Sequence, residues 1–345
     1  MKTNGEITVA AATTWLPETR QTPDTVGTTA EDAGYEALAV SDDLSAPQMA
    51  ELAARAALGR AGWEGDSVRL LLHAWSYYQG HDFWSPAHYL ADRLGAGSAL
   101  PVGIQQMCNG GAAALQSAAA HLLADPALDR ALVTTADRFC PPGFDRWSGD
   151  LGVAYGDGAT AVLLTRTGAG ETADSAPAGG ALRLLSVASV AAPELEAMHR
   201  GHDAFAPAPR WLSGQVDARR TKKAYLRAHG SDGYRDTERR ALRTLVTSAL
   251  DDAGLAPDDP ALRLVVLPRL QGPLLAGEYV PLLADLTRAE PVDFGRTTGH
   301  LGAGDLLAGI ADLTEQKLLA AGESALVLST GAGFTWSCAV VRVPS

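Results

Sequence analysis

Glycine turns of matching form stand at two places in this chain, and each opens a long apolar run. Gly156-Asp157-Gly158 leads into Ala159-Thr160-Ala161-Val162-Leu163-Leu164, and Gly331-Ala332-Gly333 leads into 334–343. Other apolar runs fall at 7–11, 68–73, 131–135, 182–188, 262–267 and 324–328. Continuous Val, Leu and Ile without polar alternation suits strands buried on both faces. Between them lie stretches with helical composition at 49–59, after residue 108, at 236–253 and at 303–319. Strands and helices in alternation, with both sheet faces covered, predict an α/β fold. The second half repeats the plan of the first, which predicts two similar halves related by duplication. The best linker is Gly168 to Gly180, small, polar and Pro-containing. The expected domains are therefore an N-terminal half, 1–167, and a C-terminal half, 180–345.

One cysteine stands at a junction that the other two do not share. An extended segment, Pro101 to Met107, runs into Cys108, and Asn109-Gly110-Gly111 opens a small-residue helix behind it. The amide dipoles of a helix N-terminus favour a thiolate, and the glycines let another segment or a substrate approach the sulfur. Cys108 is read as a nucleophile, the alternative being a buried structural cysteine. Cys140 and Cys338 lie in or beside apolar runs and read as packing residues.

Composition narrows the setting. An odd count of three cysteines in 345 residues argues against a disulfide framework and for a reducing, cytoplasmic compartment. Residues 1–14 hold no apolar signal core, and no run is long enough to span a bilayer. A net charge of −12 argues against nucleic-acid binding. Within this acidic chain, Arg219, Arg220, Lys222, Lys223 and Arg227 form a basic cluster, either a solvated helix face or a docking site for a phosphorylated or acidic donor. Trp75, Tyr77, Tyr78, Phe83, Trp84 and Tyr89 crowd into one segment, as in a pocket wall, a subunit interface or plain core. No third ligand accompanies His199 and His202, so no metal site is expected there.

Three motifs in order frame the cysteine: Gln105-Gln106-Met107-Cys108-Asn109-Gly110-Gly111, Gly156-Asp157-Gly158-Ala159, and Gly331-Ala332-Gly333-Phe334-Thr335-Trp336. Together they resemble the ketoacyl synthase III branch of the thiolase superfamily, over essentially the whole chain. The resemblance implies a five-layered αβαβα fold from two thiolase-like halves, and a homodimer. It implies that Cys108 accepts an acyl group from acyl-CoA or an acyl-carrier-protein phosphopantetheine thioester, with no permanently bound cofactor. It also places an oxyanion hole at the amides of Cys108 and Ala332, and His199 and His202 beside the substrate tunnel. Trp75 and Phe83 are taken as further substrate-binding residues.

The departures from the family pattern carry the functional reading. Condensing members hold the thioester carbonyl with a His and an Asn on two loops of the second half. Here the first loop reads Pro268-Arg269-Leu270-Gln271-Gly272, with arginine in place of the histidine. The second reads Gly299-His300-Leu301-Gly302-Ala303, with histidine in place of the asparagine, and Asp305 follows. A guanidinium stays protonated and cannot take up a proton. His300 can act as a general base, with Asp305 fixing its tautomer, so Cys108, His300 and Asp305 would form a nucleophile–base–orienter set. Asp305 could instead simply complement the start of the following helix. Arg269 is either a binding group for an acidic acyl or phosphate moiety or a structural salt bridge.

These residues predict an acyltransferase of bacterial secondary metabolism that forms an ester with a small-molecule acceptor. Two rivals stand beside it: a starter-unit ketosynthase forming a C–C bond, and a non-catalytic acyl-binding partner of a synthase complex. The retained Cys108 argues against the last.

Overall fold

The computed structural model describes residues 1–166 and 181–345, so the expected linker at 168–180 lies outside the described residues. Ten strands hydrogen-bond into one sheet: β1 (Lys2–Trp15), β2 (Leu70–Ala74), β3 (Leu100–Ile104), β4 (Arg130–Asp137), β5 (Gly158–Arg166), β6 (Leu182–Ala191), β7 (Leu262–Val266), β8 (Glu290–Val292), β9 (Ser324–Gly331) and β10 (Thr335–Arg342). Their spatial order is β8-β7-β9-β10-β6-β1-β5-β4-β2-β3. Read inward from either edge, each set of five follows the same sequence of third, second, fourth, fifth and first strand. The outer strands pair in parallel and the inner ones antiparallel, with β1 against β6 at the centre.

Helices cover the strands in layers, and the alternation of strand side chains assigns each face. In β2, Leu70, Leu72 and Ala74 join a central core, while Leu71 joins an outer one beneath α1 (Ala46–Ala61). In β9, Ala325 and Val327 face the same central core, while Leu326 and Leu328 face the other outer core. The central core is filled by α2 (Gly110–Ala124) and α5 (Asp305–Glu315), and the second outer core by α4 (Asp232–Ala253). The result is helix, strands, helices, strands, helix, the five-layered α/β arrangement expected. A strand sandwiched in this way has no polar face, which is why the runs are unbroken.

Several boundaries move. The short run at 7–11 belongs to a strand of 14 residues that pairs on both sides. The helix expected over 303–319 is confined to Asp305–Glu315, because Gly302–Gly304 form a tighter 3-10 turn before it. The basic cluster lies on α3 (Ala218–His229), which precedes α4.

Candidate active site

Cys108 lies on the corner between β3 and α2 and is 6% exposed. The helix begins at Gly110 with Asn109 as its N-cap, so the cysteine stands just outside the first turn. Met107, immediately before it, takes a φ of +48°, a left-handed conformation that costs a side-chain-bearing residue roughly 1–2 kcal/mol. The corner is held by the Gly110 amide donating to the Met107 carbonyl at 2.9 Å and by the Asn109 side chain donating to the Thr335 carbonyl. Gly331 makes the approach of the β9–β10 hairpin possible. A Cβ there would lie 2.8 Å from the Asn109 nitrogen and 3.3 Å from that of Cys108. The hairpin thus rests on the nucleophile's backbone and carries Ala332 onto the cavity wall.

His300 comes from the loop before α5 and is 2% exposed. Its amide donates to the Ala154 carbonyl at 2.9 Å and its carbonyl accepts from Gly156 at 3.0 Å, so the Gly156-Asp157-Gly158 turn anchors the histidine loop. Nδ1 lies 2.6 Å from Asp305 Oδ2. A carboxylate only accepts, so the proton of this bond sits on Nδ1 and Nε2 is left for the Cys108 side. Asp305 is itself held by the Arg269 amide at 3.0 Å and the Leu301 amide at 2.9 Å. Burial by itself would lower the pKa of His300; the charge of Asp305, then that of the Cys108 sulfur, outweighs it and holds the pKa well above the ordinary imidazole value. Burial, the largest single influence, would raise that of Asp305, but the charge and hydrogen bond of His300, the Arg269 charge and the Leu301 amide together outweigh it and keep the carboxyl below the usual range.

Arg269 contributes its backbone to this site and withdraws its side chain. The guanidinium is buried, donates to the Phe294 carbonyl at 2.6 Å and Thr298 Oγ1 at 2.8 Å, and pairs with Asp312 at 2.5 Å. The cavity wall is formed by its neighbour Leu270. Of the two expectations for Arg269, the structure has the salt bridge, and the substrate-binding one is corrected.

A cavity of about 390 Å³ opens from Cys108 and His300. Tyr77, Phe139, Phe144, Tyr155 and Phe334 supply aromatic walls. His199 lines it, whereas His202 is exposed and takes no part in the wall. Trp75 stacks on His73 with ring centroids 5.6 Å apart, on the β2–β3 side of the sheet, and Phe83 projects fully into solvent. Neither lines the cavity: the Trp75 ring lies over Gly103 of β3, and beyond Tyr77 the segment turns outward, leaving Tyr78 and Phe83 exposed. The basic cluster also divides. Arg220 pairs with Asp203 at the surface, the Arg219 guanidinium donates to the Asp150 carbonyl at 3.2 Å, and Lys223 is exposed. Lys222 turns inward, lines the cavity and pairs with Asp150 at 2.5 Å, which rules it out as a surface docking residue.

Sequence reasoning missed Asp150 and Tyr155, and it missed the inward aim of Lys222. A signal for the lysine existed: Ala218, Lys222 and Leu226 are spaced four apart on one helix and all three line the cavity. Among the described residues no cluster of three His, Cys, Asp or Glu could hold a metal ion, and no helix is long and apolar enough to cross a membrane.

Comparison with known proteins gives the family and the fold. The family model described as 3-oxoacyl-[acyl-carrier-protein] synthase III matches residues 102–177, and that of its C-terminal portion matches 283–343. The chain is 26% identical over 322 residues to beta-ketoacyl-[acyl-carrier-protein] synthase III of Synechococcus sp. (strain RCC307), covering 90% of this chain and 87% of that one. The solved structure of ChlB3, described as an acyltransferase, is 34% identical and superposes with a TM-score of 0.85, covering 99% of this chain and 98% of the other. The 3-oxoacyl-[acyl-carrier-protein] synthase III of Aquifex aeolicus VF5 shares the fold with a TM-score of 0.76 at 19% identity, over 97% and 99% of the two chains.

Proposed function

Because the chain belongs to the 3-oxoacyl-[acyl-carrier-protein] synthase III family of thiolase-fold enzymes, we propose that it loads an acyl or aroyl group onto Cys108 and passes it to an acceptor hydroxyl. The donor is an acyl-CoA or acyl-carrier-protein thioester, in keeping with the family. The single observation that carries the reading is the His300–Asp305 pair at 2.6 Å beside Cys108, together with the withdrawal of the Arg269 guanidinium into a salt bridge. The site then holds one oriented base and lacks the paired donors that a condensing member uses against an enolate. Likeness to ChlB3, described as an acyltransferase, supports the same branch.

The chemistry divides into two transfers. In the first, the Cys108 sulfur attacks the donor's thioester carbon while Nε2 of His300 takes the thiol proton. The carbonyl oxygen becomes an oxyanion against the amides of Cys108 and Ala332. The C–S bond to the donor breaks, and the departing thiolate recovers the proton from His300. In the second, the acceptor hydroxyl attacks the acyl carbon and gives its proton to Nε2. The bond to Cys108 breaks, the ester leaves, and the proton returns to the sulfur. Throughout, the Asp305 carboxylate keeps Nδ1 protonated and the ring aligned.

A second reading, decarboxylative condensation, is favoured by the likeness to the Synechococcus synthase. The test follows intact mass during incubation with a panel of acyl-CoAs and acyl-carrier proteins, then adds either malonyl-carrier protein or candidate alcohols. The expected result is an adduct absent from Cys108→Ala and discharged by an alcohol. No adduct contradicts both readings. Discharge only by malonyl thioester, with carbon dioxide released, contradicts ester formation. His300→Ala is expected to retain partial loading while transfer slows by roughly 10²–10⁴-fold.

A further inference from the structure

The cavity holds a second polar constellation that the acyl-transfer steps leave unused. Lys222 Nζ lies 2.5 Å from Asp150 Oδ1, with the two side chains only 10% and 3% exposed. Asp150 Oδ2 accepts the Tyr155 hydroxyl at 2.8 Å. His199 lines the same wall, and its Nδ1 is buried with no hydrogen-bond partner among the described residues. Burial first, then the charge of Lys222, pushes the His199 pKa down to about 4, so the ring is neutral near pH 7. An ion pair inside a largely apolar cavity is a weak choice for stability, since apolar side chains of similar size would serve as well or better. Its position beside an unpartnered histidine points instead to recognition.

We propose that Asp150, Lys222 and His199 select an acyl group bearing an uncharged oxygen, a ketone or hydroxyl, several bonds from the thioester carbonyl, over a plain hydrocarbon acyl. This rests on the reading that Cys108 is acylated within this cavity. Lys222 keeps N–H donors beyond the one facing Asp150, so a ketone or hydroxyl oxygen can accept from it, and a hydroxyl can also engage Nδ1 of His199. The oxygen must not be anionic because the cations on the wall are already paired. Lys222 offsets Asp150, Arg235 pairs with Glu278 at 3.2 Å, and a third carboxylate, Glu238, accepts only the hydroxyls of Tyr234 and Tyr279 at 3.1 and 3.2 Å. A carboxylate on the acyl group would add an uncompensated negative charge in a largely apolar space. The spacing follows from Tyr155, whose ring meets that of His300 with centroids 5.2 Å apart and whose hydroxyl reaches Asp150. The oxygen therefore sits about one tyrosine length from the reacting carbon.

Single-turnover acylation of the full chain by pantetheine thioesters tests this, read as intact mass of the adduct on Cys108. The matched sets are hexanoyl against 5-oxohexanoyl, and benzoyl against 3-hydroxybenzoyl and 3-carboxybenzoyl. The keto and hydroxy members are expected to load roughly tenfold or more faster than their parents, the worth of one or two satisfied hydrogen bonds. The carboxy member is expected to load no faster than benzoyl. The preference should fall toward unity in Lys222→Met/Asp150→Asn and weaken in His199→Phe. Should either variant fail to fold, the wild-type ratios still decide. Adducts formed without preference, or a preference for the hydrocarbon or carboxy members, overturn the proposal. Absence of any adduct refutes the acylation reading itself, which is a separate outcome.

Discussion

Replacing Asp305 by Asn separates a catalytic orienter from a helix-start acid. The carboxylate accepts from His300 Nδ1 at 2.6 Å, from the Arg269 amide at 3.0 Å and from the Leu301 amide at 2.9 Å. An Asn oxygen can keep one amide contact, but its NH₂ must then face another donor or Nδ1 itself. If it donates to Nδ1, the imidazole proton moves to Nε2, the wrong nitrogen for accepting a proton from a thiol or alcohol. Loss of the charge also removes the largest influence raising the His300 pKa. Positioned general-base catalysis contributes about 10²–10⁴-fold, so transfer to the acceptor should slow by roughly 10³-fold. One charge-assisted buried hydrogen bond is worth about 1.5–3 kcal/mol, so stability should fall by that amount. The assay pairs rapid-quench acyl transfer with urea denaturation. Transfer within threefold of wild type in a folded Asn variant would refute the reasoning and leave Asp305 as a complement to the dipole of α5. The pH dependence has a definite sign. His300 must be neutral to act as base, so wild-type transfer should rise with pH through its raised pKa, and the rise should shift to lower pH in the Asn variant. The pair's contribution to folding has the complementary form. From His300 it is present below the unfolded imidazole value and lost as pH rises through the raised folded value; from Asp305 it is present above the unfolded carboxyl value and lost as pH falls through the lowered one.

Two further outcomes bear on the frame around the site. Arg269→Ala should cost about 3–5 kcal/mol in urea denaturation, because it leaves the Asp312 carboxylate partly buried without its partner. Its residual folded fraction should still load Cys108, since the side chain lies off the cavity. Gly331→Ala should slow loading by roughly 10²-fold, because the new Cβ would press on the Asn109 backbone and displace the thiol. Unchanged loading in that variant would mean that the hairpin does not position the nucleophile's corner.

Much of the frame was legible in the sequence because it obeys local rules. Unbroken runs such as 131–135 and 324–328 announced strands covered on both faces, and the alternation of Leu132 with Ala131 and Val133 between two cores shows why. The five-residue spacing of His300 and Asp305 anticipated their contact, since a single tight turn separates them. What failed was direction. Lys222 stands among charged neighbours in sequence, yet helix periodicity places it on the inner stripe between Ala218 and Leu226. Arg269 stands beside the cavity residue Leu270, but its guanidinium turns away to the partly buried carboxylate of Asp312. Trp75 and Phe83 share a segment with the cavity residue Tyr77, and composition alone could not tell which aromatic the turn would carry inward.

The Arg269 salt bridge also bears on how this chain could change. Its guanidinium stitches the loop after β7 to Phe294, Thr298 and Asp312, so the strut spans two loops and α5. Burial raises the pKa of Asp312, and Arg269 opposes that shift. Replacing Arg269 by histidine alone would therefore remove a structural post, and the weakened protein would lose abundance. Asp312 would have to change at the same time to avoid an unpaired carboxylate. The salt bridge thus makes positions 269 and 312 a coupled pair, in which neither can be altered without regard to the other.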